Sequence, residues 1–482
     1  MAYPKSKTLP WLHQEQAWDF IEPLPSAYLA MDMGTGKTKT AIDSCVGHDD
    51  QIVFIICPHK VISVWPRQFD LHCAKTYKVL ALDSGTVAKK ADIINNEVDA
   101  AVRFGRRLAI VTNYESFWRS PLGPTYNKKN RIIKKGLLLT LPIDKFIPDE
   151  AHRLKSPSGR ASWGAMRVAA HAKRRLFLSG TPMPSSPKDI YAQFRALDSS
   201  IFGTSLMVFM SRYAVMGGYE GRQVLRWINQ EELNQKFYSI AFRVKTDDVL
   251  NLPAVNHDDI ICELAPATMK IYRELENEFI AQVGTGEVTV GNALTKLLRL
   301  SQFAGGFATL DNSNGKTEKL DPIKVETMIE KIDDLGPVEP VVIFYRFKPE
   351  VAEIRVQLEK IGRTVGEISG SYNDEPAWID KRINTVCVQI KTGGEGLDSL
   401  TRARYGFFYS KGMLSVGQLD QAVRRLSRPG QTRKTFFYHV LAKGTVDMKV
   451  ERGLKTGRNI IEAVMEDMTG VDPFGVIPRK AA

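Results

Sequence analysis

Residues 31–38, with the sequence M-D-M-G-T-G-K-T, constrain the fold of this chain more than any other stretch. They follow a short apolar run at 27–30 and precede a run with helical character at 39–46. A strand, a glycine-containing loop and a helix in this order form a cradle for phosphate, because the first N–H groups of the helix point at the anion. The alternative is a glycine-rich turn that binds nothing. We favour a nucleotide-binding loop.

The loop supplies candidate ligands for a nucleotide and a divalent ion. Gly34 and Gly36, on either side of Thr35, let the backbone approach an anion closely. Lys37 is expected to reach the β- and γ-phosphates, and the Thr38 hydroxyl is expected to bind Mg²⁺. Nucleotide and Mg²⁺ are therefore predicted together at this loop.

The bulk properties point to a polyanionic partner. The chain has 482 residues and a net charge of +12, which favours nucleic acid over an acidic membrane surface, although a basic surface kept for solubility is the alternative. The five cysteines are scattered and never form C-x-x-C, a pattern typical of a reducing compartment. No run of about 18 apolar residues and no apolar signal core occur, so we expect a soluble, cytoplasmic protein.

Gln14 lies upstream of the phosphate loop, in a segment with helical spacing. A glutamine amide can accept from adenine N6 and donate to N7, and thereby select adenine over guanine. A surface glutamine is the alternative. Gln14 is our candidate for adenine recognition.

Apolar runs alternate with helical patterns after the loop. Residues 51–57 and 107–112 are predicted strands, and such continuous apolar runs separated by helices favour a parallel, doubly wound sheet. Ligands of such sheets bind beyond the carboxyl ends of the strands. Those ends carry small polar or basic clusters suited to the phosphate backbone of nucleic acid, or else ordinary loops. The candidate contacts there are Pro58, Lys60, Thr112 and Asn113.

Residues 120–142 interrupt the alternation and are rich in glycine, proline, asparagine and lysine. They form a basic loop or hairpin in which Tyr126 is available to stack on a base. Gripping nucleic acid and being a solvated insertion are equally open. The basic residues are Lys128, Lys129, Arg131, Lys134 and Lys135.

The predicted strand 143–147 leads into D-E-A-H at 149–152. Asp149 is expected to hold Mg²⁺ through water, and Glu150 to polarise the attacking water as general base. His152 is expected to sense the γ-phosphate and couple it to the rest of the site. A helix start with favourably placed acids is the alternative. A later strand ends in S-G-T-P at 179–182.

G-K-T, D-E-A-H and S-G-T-P in this order resemble a superfamily-two helicase ATPase. The extended runs at 149–156 (D-E-A-H-R-L-K-S) and 178–198 are more narrowly similar to the Swi/Snf-type translocases on double-stranded DNA. The resemblance implies ATP as substrate, Mg²⁺ as its partner ion, and DNA contacts by Arg153 and Lys155. Ser156 stands where family members usually have asparagine. The chain resembles a compact bacterial or phage form of the family.

The resemblance implies an α/β fold of two tandem RecA-like lobes with a small helical insert between them. We expect lobe 1 over 1–198, the insert and a crossing segment over 199–250, lobe 2 over 251–465, and a tail over 466–482. Within lobe 2, residues 309–321 are a predicted polar loop.

Two stretches of lobe 2 carry chemistry. In T-G-G-E-G-L-D, Gly394 is a candidate contact to nucleic acid and Gly396 to nucleotide, while Asp398 suits a ribose hydroxyl. Residues 418–431 resemble the family's arginine-finger motif. Arg425 and Arg428 lie three apart and so are expected on one face of a helix over 418–428, from which they would reach the γ-phosphate. A basic amphipathic helix is the alternative.

The sequence therefore predicts an ATP-driven motor on duplex or branched DNA, with binding that tolerates any sequence and weakens with salt. We expect it to act as a monomer. An RNA or forked-DNA helicase with the same core is one alternative. The other is a nucleotide-gated DNA-binding subunit of a nuclease or replication complex.

Overall fold

The computed structural model describes residues 3–127, 132–184, 186–217, 223–250, 252–284, 290–309, 317–390, 399–412 and 414–456. The chain divides into two units, Met1–Leu250 and Asn251–Ala482. Each unit is built around a parallel sheet of its own, as the sequence predicts for two RecA-like lobes.

The first unit begins with a helix and then alternates between strands and helices. Its strands are β1 (Ser26–Met31), β2 (Ile52–Cys57), β3 (Tyr77–Ala81), β4 (Arg107–Asn113), β5 (Thr125–Tyr126), β6 (Ile132–Lys134), β7 (Lys145–Pro148), β8 (Arg174–Leu178), β9 (Ala214–Gly217), β10 (Gln223–Trp227) and β11 (Ala241–Val244). Its helices are α1 (Leu12–Ile21), α2 (Lys37–Gly47), α3 (Val64–His72), α4 (Val87–Arg103), α5 (Arg160–His171), α6 (Asp189–Leu197), α7 (Ser199–Phe202), α8 (Leu206–Tyr213), α9 (Gln230–Tyr238) and α10 (Thr246–Val249).

Seven of these strands form one sheet in the order β11-β1-β8-β7-β2-β4-β3, with every neighbouring pair parallel. Successive side chains of a strand point to opposite faces, so each strand feeds two cores. In β2, Phe54 packs in the hydrophobic core on one face of the sheet, and Ile55 packs in the core on the other face. All six residues of β2 are buried, because helices cover both faces of the sheet.

Residues 199–250 are not purely helical. They include the antiparallel pair β9–β10, and β11 is the edge strand that pairs with β1. Phe209, Phe237 and Ile240 pack in the core of the first unit. This segment therefore belongs structurally to the first sheet, although the sequence predicts an insert beside it.

The basic stretch at 120–142 contains a hairpin. Strands β5 and β6 pair antiparallel, and residues 128–131 lie outside the described part of the chain. The base of the hairpin is closed by two backbone hydrogen bonds, from Leu137 N to Pro121 O (2.9 Å) and from Leu138 N to Leu122 O (3.1 Å). Of the loop and hairpin that the sequence allows, the chain adopts the hairpin.

The second unit repeats the architecture. Its strands are β12 (Val255–Cys262), β13 (Phe307–Thr309), β14 (Thr317–Lys319), β15 (Val341–Tyr345), β16 (Val365–Ile368), β17 (Thr385–Gln389), β18 (Tyr405–Phe408) and β19 (Thr435–Ala442). Its helices are α11 (Pro266–Gly284), α12 (Val290–Ala304), α13 (Ile323–Asp333), α14 (Lys348–Lys360), α15 (Glu375–Ile379), α16 (Val416–Val423) and α17 (Val446–Thr456). The parallel sheet has the order β12-β19-β18-β15-β17-β16.

Two predictions for the second unit are wrong in part. The ends of the predicted polar loop 309–321 form the antiparallel pair β13–β14. The predicted helix 418–428 ends at Val423, and Arg425 and Arg428 lie in the turns that follow. Pro429 explains the early end, because its ring clashes with the carbonyl four residues earlier and disfavours helical backbone at the residue before it.

Among the described helices, none combines the length and the apolar character that crossing a bilayer requires.

Candidate active site

Three predicted motifs meet at one edge of the first sheet. Strands β1, β8 and β7 are neighbours, and their carboxyl ends lead into the phosphate loop, the S-G-T-P motif and the D-E-A-H motif. Ser179 N donates to Leu29 O at 3.1 Å. A Cβ on Gly180 would lie 3.3 Å from Met31 O, so the two loops pack closely. Long-range strand pairing thus brings the three motifs together.

The phosphate loop uses glycine where its backbone requires it. Gly34 and Gly36 have φ values of 81° and 84°, a region open to glycine at little cost. Gly36 precedes α2, and a Cβ there would lie 2.0 Å from Gln14 Nε2. Thr35 Oγ1 donates to Asp32 O at 2.7 Å. A side chain at position 36 would therefore clash with Gln14, so glycine is required at the start of α2.

Lys37 and Thr38 form the first turn of α2. The Lys37 ammonium donates to Met31 O (2.6 Å) and Asp32 O (3.0 Å), so it lies over the loop. The Thr38 side chain is half-buried beside it. This set of a cation, a hydroxyl and helix-terminal N–H groups fits a triphosphate and its Mg²⁺.

The acidic pair follows β7. Asp149 is 7% exposed, and its Oδ1 accepts from Glu150 N at 3.0 Å. Glu150 has φ 56° and ψ 52°, the left-handed region that a residue with a Cβ rarely adopts. Such a conformation costs about 1–3 kcal/mol and persists where the surrounding structure imposes it. The turn directs two carboxylates of adjacent residues to the edge where the phosphate loop lies.

His152 connects the acidic motif to S-G-T-P. Its Nδ1 lies 2.9 Å from Ser179 Oγ and 3.3 Å from Glu150 Oε2. Thr181 N donates to the same Ser179 oxygen at 3.1 Å. Ser179 is fully buried. The histidine therefore lies between Glu150 and the loop after β8, and its coupling role stays a prediction.

Gln14 lies beside the phosphate loop, but its side-chain amide already forms hydrogen bonds within the protein. It is 2% exposed, its Nε2 donates to Thr35 O at 3.3 Å, and its Oε1 accepts from Trp11 N at 3.0 Å. Adenine recognition by Gln14 stays a prediction, because it requires the amide to exchange these partners. His13, which the sequence reasoning missed, lies 2.8 Å from the same Thr35 O through its Nε2.

A buried chain of hydrogen bonds runs behind the site. Tyr28 OH donates to Gln193 Oε1 at 2.7 Å, and Gln193 Nε2 donates to Pro182 O at 2.8 Å. Burial raises the pKa of Tyr28 well above its ordinary value, so the hydroxyl stays a donor. No signal in the sequence links these residues, because their contact depends on the packing of α6 against β1.

Thr246 holds the phosphate loop from the far end of the first unit. Its backbone N–H donates to Asp32 Oδ2 (3.1 Å) and its hydroxyl to Met33 O (3.0 Å). Thr246 is 1% exposed. It follows β11, whose pairing with β1 brings Val244 opposite Met31. The predicted crossing segment within 199–250 thus contacts the phosphate loop through Thr246.

The predicted nucleic-acid contacts after β2 and β4 differ in exposure. Pro58 and Thr112 are buried, and Asn113 is 8% exposed and donates to Glu115 Oε2 at 3.0 Å. Lys60 is half-buried. The Thr112 side chain is not exposed in this conformation. Fewer polar side chains are therefore accessible to nucleic acid after β4 than the sequence predicts.

Arg153 and Lys155 follow the D-E-A-H motif on the short helical turn and beyond it. The Arg153 guanidinium lies 5.8 Å from the Tyr114 ring centroid and 3.7 Å from Glu115 Oε1. Arg153 is exposed and Lys155 half-buried. Both lie on the side of the sheet that carries the phosphate loop.

The candidate residues of the second unit are only partly described. Gly394, Gly396 and Asp398 lie outside the described residues. Arg425 is 2% exposed and Arg428 is half-buried. Since α16 ends before them, they do not share a helix face, contrary to the sequence prediction.

A buried carboxyl that sequence reasoning missed lies at the carboxyl edge of the second sheet. Glu350 Oε2 accepts from Arg346 N (3.1 Å), Phe347 N (2.9 Å) and Ser410 Oγ (2.6 Å). Burial raises the pKa of Glu350 to about 7. A glutamate at the third position of a helix is a capping signal, which was available in the sequence.

Comparison with known proteins finds similar sequences and a similar solved structure. The protein p41 of Acyrthosiphon pisum secondary endosymbiont phage 1 is 25% identical over 68% of this chain and 73% of p41. The DNA repair and recombination protein RAD54-like of Danio rerio is 21% identical over 89% of this chain, which spans 62% of the fish protein. The solved Sulfolobus solfataricus SWI2/SNF2 ATPase core in complex with dsDNA is 19% identical, with a TM-score of 0.43 over 98% of this chain and 96% of that chain.

A family model described as the SNF2-related domain matches residues 7–304, which include every motif of the first unit. Because that match covers more than half of the chain, this chain belongs to the SNF2-related family of superfamily-two helicases.

Proposed function

We propose that this chain is an ATP-dependent DNA translocase, which uses ATP hydrolysis to move along or remodel duplex or branched DNA. The observation that carries the proposal is the meeting of the phosphate loop, the Asp149–Glu150 pair and the His152–Ser179 contact at one sheet edge. Membership of the SNF2-related family supports it. The fish relative is named a DNA repair and recombination protein, which agrees with DNA as the partner.

The phosphate loop would hold the ATP triphosphate. The Lys37 ammonium exchanges the carbonyls of Met31 and Asp32 for phosphate oxygens, and the N–H groups that begin α2 donate to the same anion. Thr38 and Asp149 are the residues that would hold Mg²⁺, which supplies positive charge beside the phosphates when bound. Asp149 is suited to this role because its carboxylate is nearly buried and held by a backbone N–H.

Glu150 would act as the general base on the attacking water. Its carboxylate follows Asp149 directly and is fixed by the left-handed turn. His152 would keep that carboxylate oriented through its contacts with Glu150 and Ser179. Arg425 and Arg428 are proposed to neutralise charge that develops on the γ-phosphate, because arginine is always charged and forks onto phosphate oxygens.

DNA would be gripped through its backbone. The net charge of +12 supplies the long-range attraction, and the exposed Arg153 lies beside the nucleotide edge. Lys60, Asn113, Lys155 and Gly394 remain proposed contacts. Because phosphate contacts carry no sequence information, binding should tolerate any base sequence.

The experiment is the rate of ATP hydrolysis with no nucleic acid, with duplex DNA, with forked DNA, with single-stranded DNA and with RNA. We expect duplex or branched DNA to stimulate hydrolysis most. Equal or stronger stimulation by RNA would replace the proposal with an RNA helicase. A rate that no nucleic acid changes would leave only a nucleotide-gated binding subunit.

A further inference from the structure

Residues 116–143 contain no aspartate or glutamate, whereas they contain six lysines and arginines. The described members of this set are Arg119, Lys134 and Lys135, all exposed. A segment of this length with one sign of charge creates a local positive potential that its own side chains do not neutralise.

The Trp118 ring contacts the guanidinium groups of two arginines from different parts of the chain. The Arg119 guanidinium lies 5.3 Å from the Trp118 ring centroid, and that of Arg160, the first residue of α5, lies 5.7 Å from it. Both arginines are exposed, and within the described chain neither forms an ion pair with an acidic side chain. Contact with the ring restrains each guanidinium and leaves its N–H groups available to an oxyanion.

The hairpin packs the backbone that follows Lys135 against the segment that carries Trp118. A Cβ on Gly136 would lie 2.2 Å from the Gly123 carbonyl carbon, and one on Gly123 would lie 2.4 Å from that of Trp118. Gly123 N also donates to Arg119 O at 2.8 Å. Three backbone segments are therefore in direct contact, and Lys135 directly precedes one of them.

The opposite edge of the same sheet shows the contrast. Several basic side chains near the amino ends of its strands form ion pairs with acidic side chains. The pairs are Lys173–Asp144 (2.6 Å), Arg174–Asp50 (3.4 Å), Lys78–Glu97 (2.6 Å) and Arg107–Asp49 (2.7 Å). Among the described residues, Arg119, Arg160, Lys134 and Lys135 form no such ion pair, and Trp118 follows the carboxyl end of β4, on the side of the phosphate loop.

We propose that Arg119, Arg160, Lys134 and Lys135, arranged around Trp118, bind backbone phosphates of duplex DNA. We call these residues the Trp118 surface. This inference rests on the proposed function and adds to the contacts made by the strand-end motifs. Two arginines restrained on one ring and two lysines on a nearby hairpin suit a rigid backbone with evenly spaced phosphates.

The test is the salt dependence of duplex-DNA affinity for the full chain. Each lost phosphate contact lowers the slope of log affinity against log salt by about 0.9, so Arg119→Ala/Arg160→Ala should lower it by about 1.8. Lys134→Ala/Lys135→Ala should lower it by a similar amount. The matched control is Lys78→Ala/Lys173→Ala at the opposite edge, which removes the same charge and should leave the slope unchanged.

ATP hydrolysis without DNA checks that each variant is folded, because none of these side chains touches the nucleotide edge in the structure. A wild-type slope for both surface variants, or an equal decrease for the control, overturns the inference. A decrease with single-stranded RNA but none with duplex DNA also overturns it. If wild-type protein shows neither DNA-stimulated hydrolysis nor salt-dependent DNA binding, the proposed function itself fails, and the two failures are thereby distinguished.

Discussion

The Thr246 hydroxyl donates a hydrogen bond to the Met33 carbonyl at 3.0 Å, although 213 residues separate them. Its backbone N–H binds the Asp32 carboxylate as well. The phosphate loop near the start of the first unit is therefore held by hydrogen bonds from the last segment of that unit. Leu250, the last residue of that unit, lies only four positions after Thr246.

Replacing Thr246 with valine should loosen the phosphate loop. Valine keeps the shape and the backbone N–H but leaves the Met33 carbonyl without its hydroxyl donor, which costs about 1 kcal/mol. We expect a several-fold higher KM for ATP and a lower temperature of unfolding. Thr246→Ser keeps the hydroxyl and is the matched control. Equal KM values for the valine and serine variants would show that the bond does not shape the loop.

Variants of Glu150 and Lys37 should distinguish a loss of catalysis from a loss of ATP binding. Glu150→Gln keeps the side-chain volume but removes the base, and we expect kcat to fall by about 10²–10⁴. ATP binding, followed by a fluorescent nucleotide, should survive in this variant and be weakened in Lys37→Ala. A Glu150→Gln enzyme with wild-type turnover would remove Glu150 from the role of general base.

The two arginines of the second unit should differ in their effects. Arg428 is half-buried, so Arg428→Ala should mainly lower kcat, by up to about 10³–10⁵ if it neutralises the γ-phosphate. Arg425 is almost fully buried, and its removal should also lower the unfolding temperature. Arg428→Lys tests the forked geometry, because lysine keeps the charge alone. Full activity in Arg428→Ala contradicts the finger assignment.

Glu350 should make the stability of the second unit depend on pH. Its pKa is about 7 in the folded protein against 4.5 for an exposed glutamate, so folding favours the protonated form. The stabilisation is complete below about pH 4.5 and is lost as pH rises through about 7, a change on the order of 3 kcal/mol. Thermal unfolding at pH 5 and pH 8 measures it. Glu350→Gln should abolish this part of the difference.

The control for this experiment is Glu359→Gln, an exposed position on the same helix. It should leave the difference between pH 5 and pH 8 as in the wild type. If Glu350→Gln and Glu359→Gln behave alike, the buried carboxyl does not control the pH response.

Local patterns predicted the alternating elements, because a fully buried parallel strand is visible as an apolar run, as in residues 52–57. They also predicted which loops meet, since carboxyl ends of parallel strands share an edge. The positions of Thr246 and Gln193 were not predictable in this way. Their contacts depend on which distant strand or helix packs beside β1. The residues next to Thr246 and Gln193 in the sequence do not indicate this packing.

Two elements of the second unit differ from the sequence prediction for local reasons. Apolar spacing continues after Val423 and predicts a helix over 418–428, whereas Pro429 forbids its last turn. The ends of the polar stretch 309–321 pair as strands, because polar residues are tolerated in a short exposed strand such as β14.

We propose that ATP hydrolysis at Lys37, Asp149 and Glu150 drives movement along duplex DNA. Release of a third strand from a DNA triplex measures that movement without requiring the duplex to open. We predict release by wild-type protein with ATP, but no release with a non-hydrolysable analogue or with Glu150→Gln. Duplex-stimulated hydrolysis without release, or release that is equally fast in Glu150→Gln, would contradict the claim.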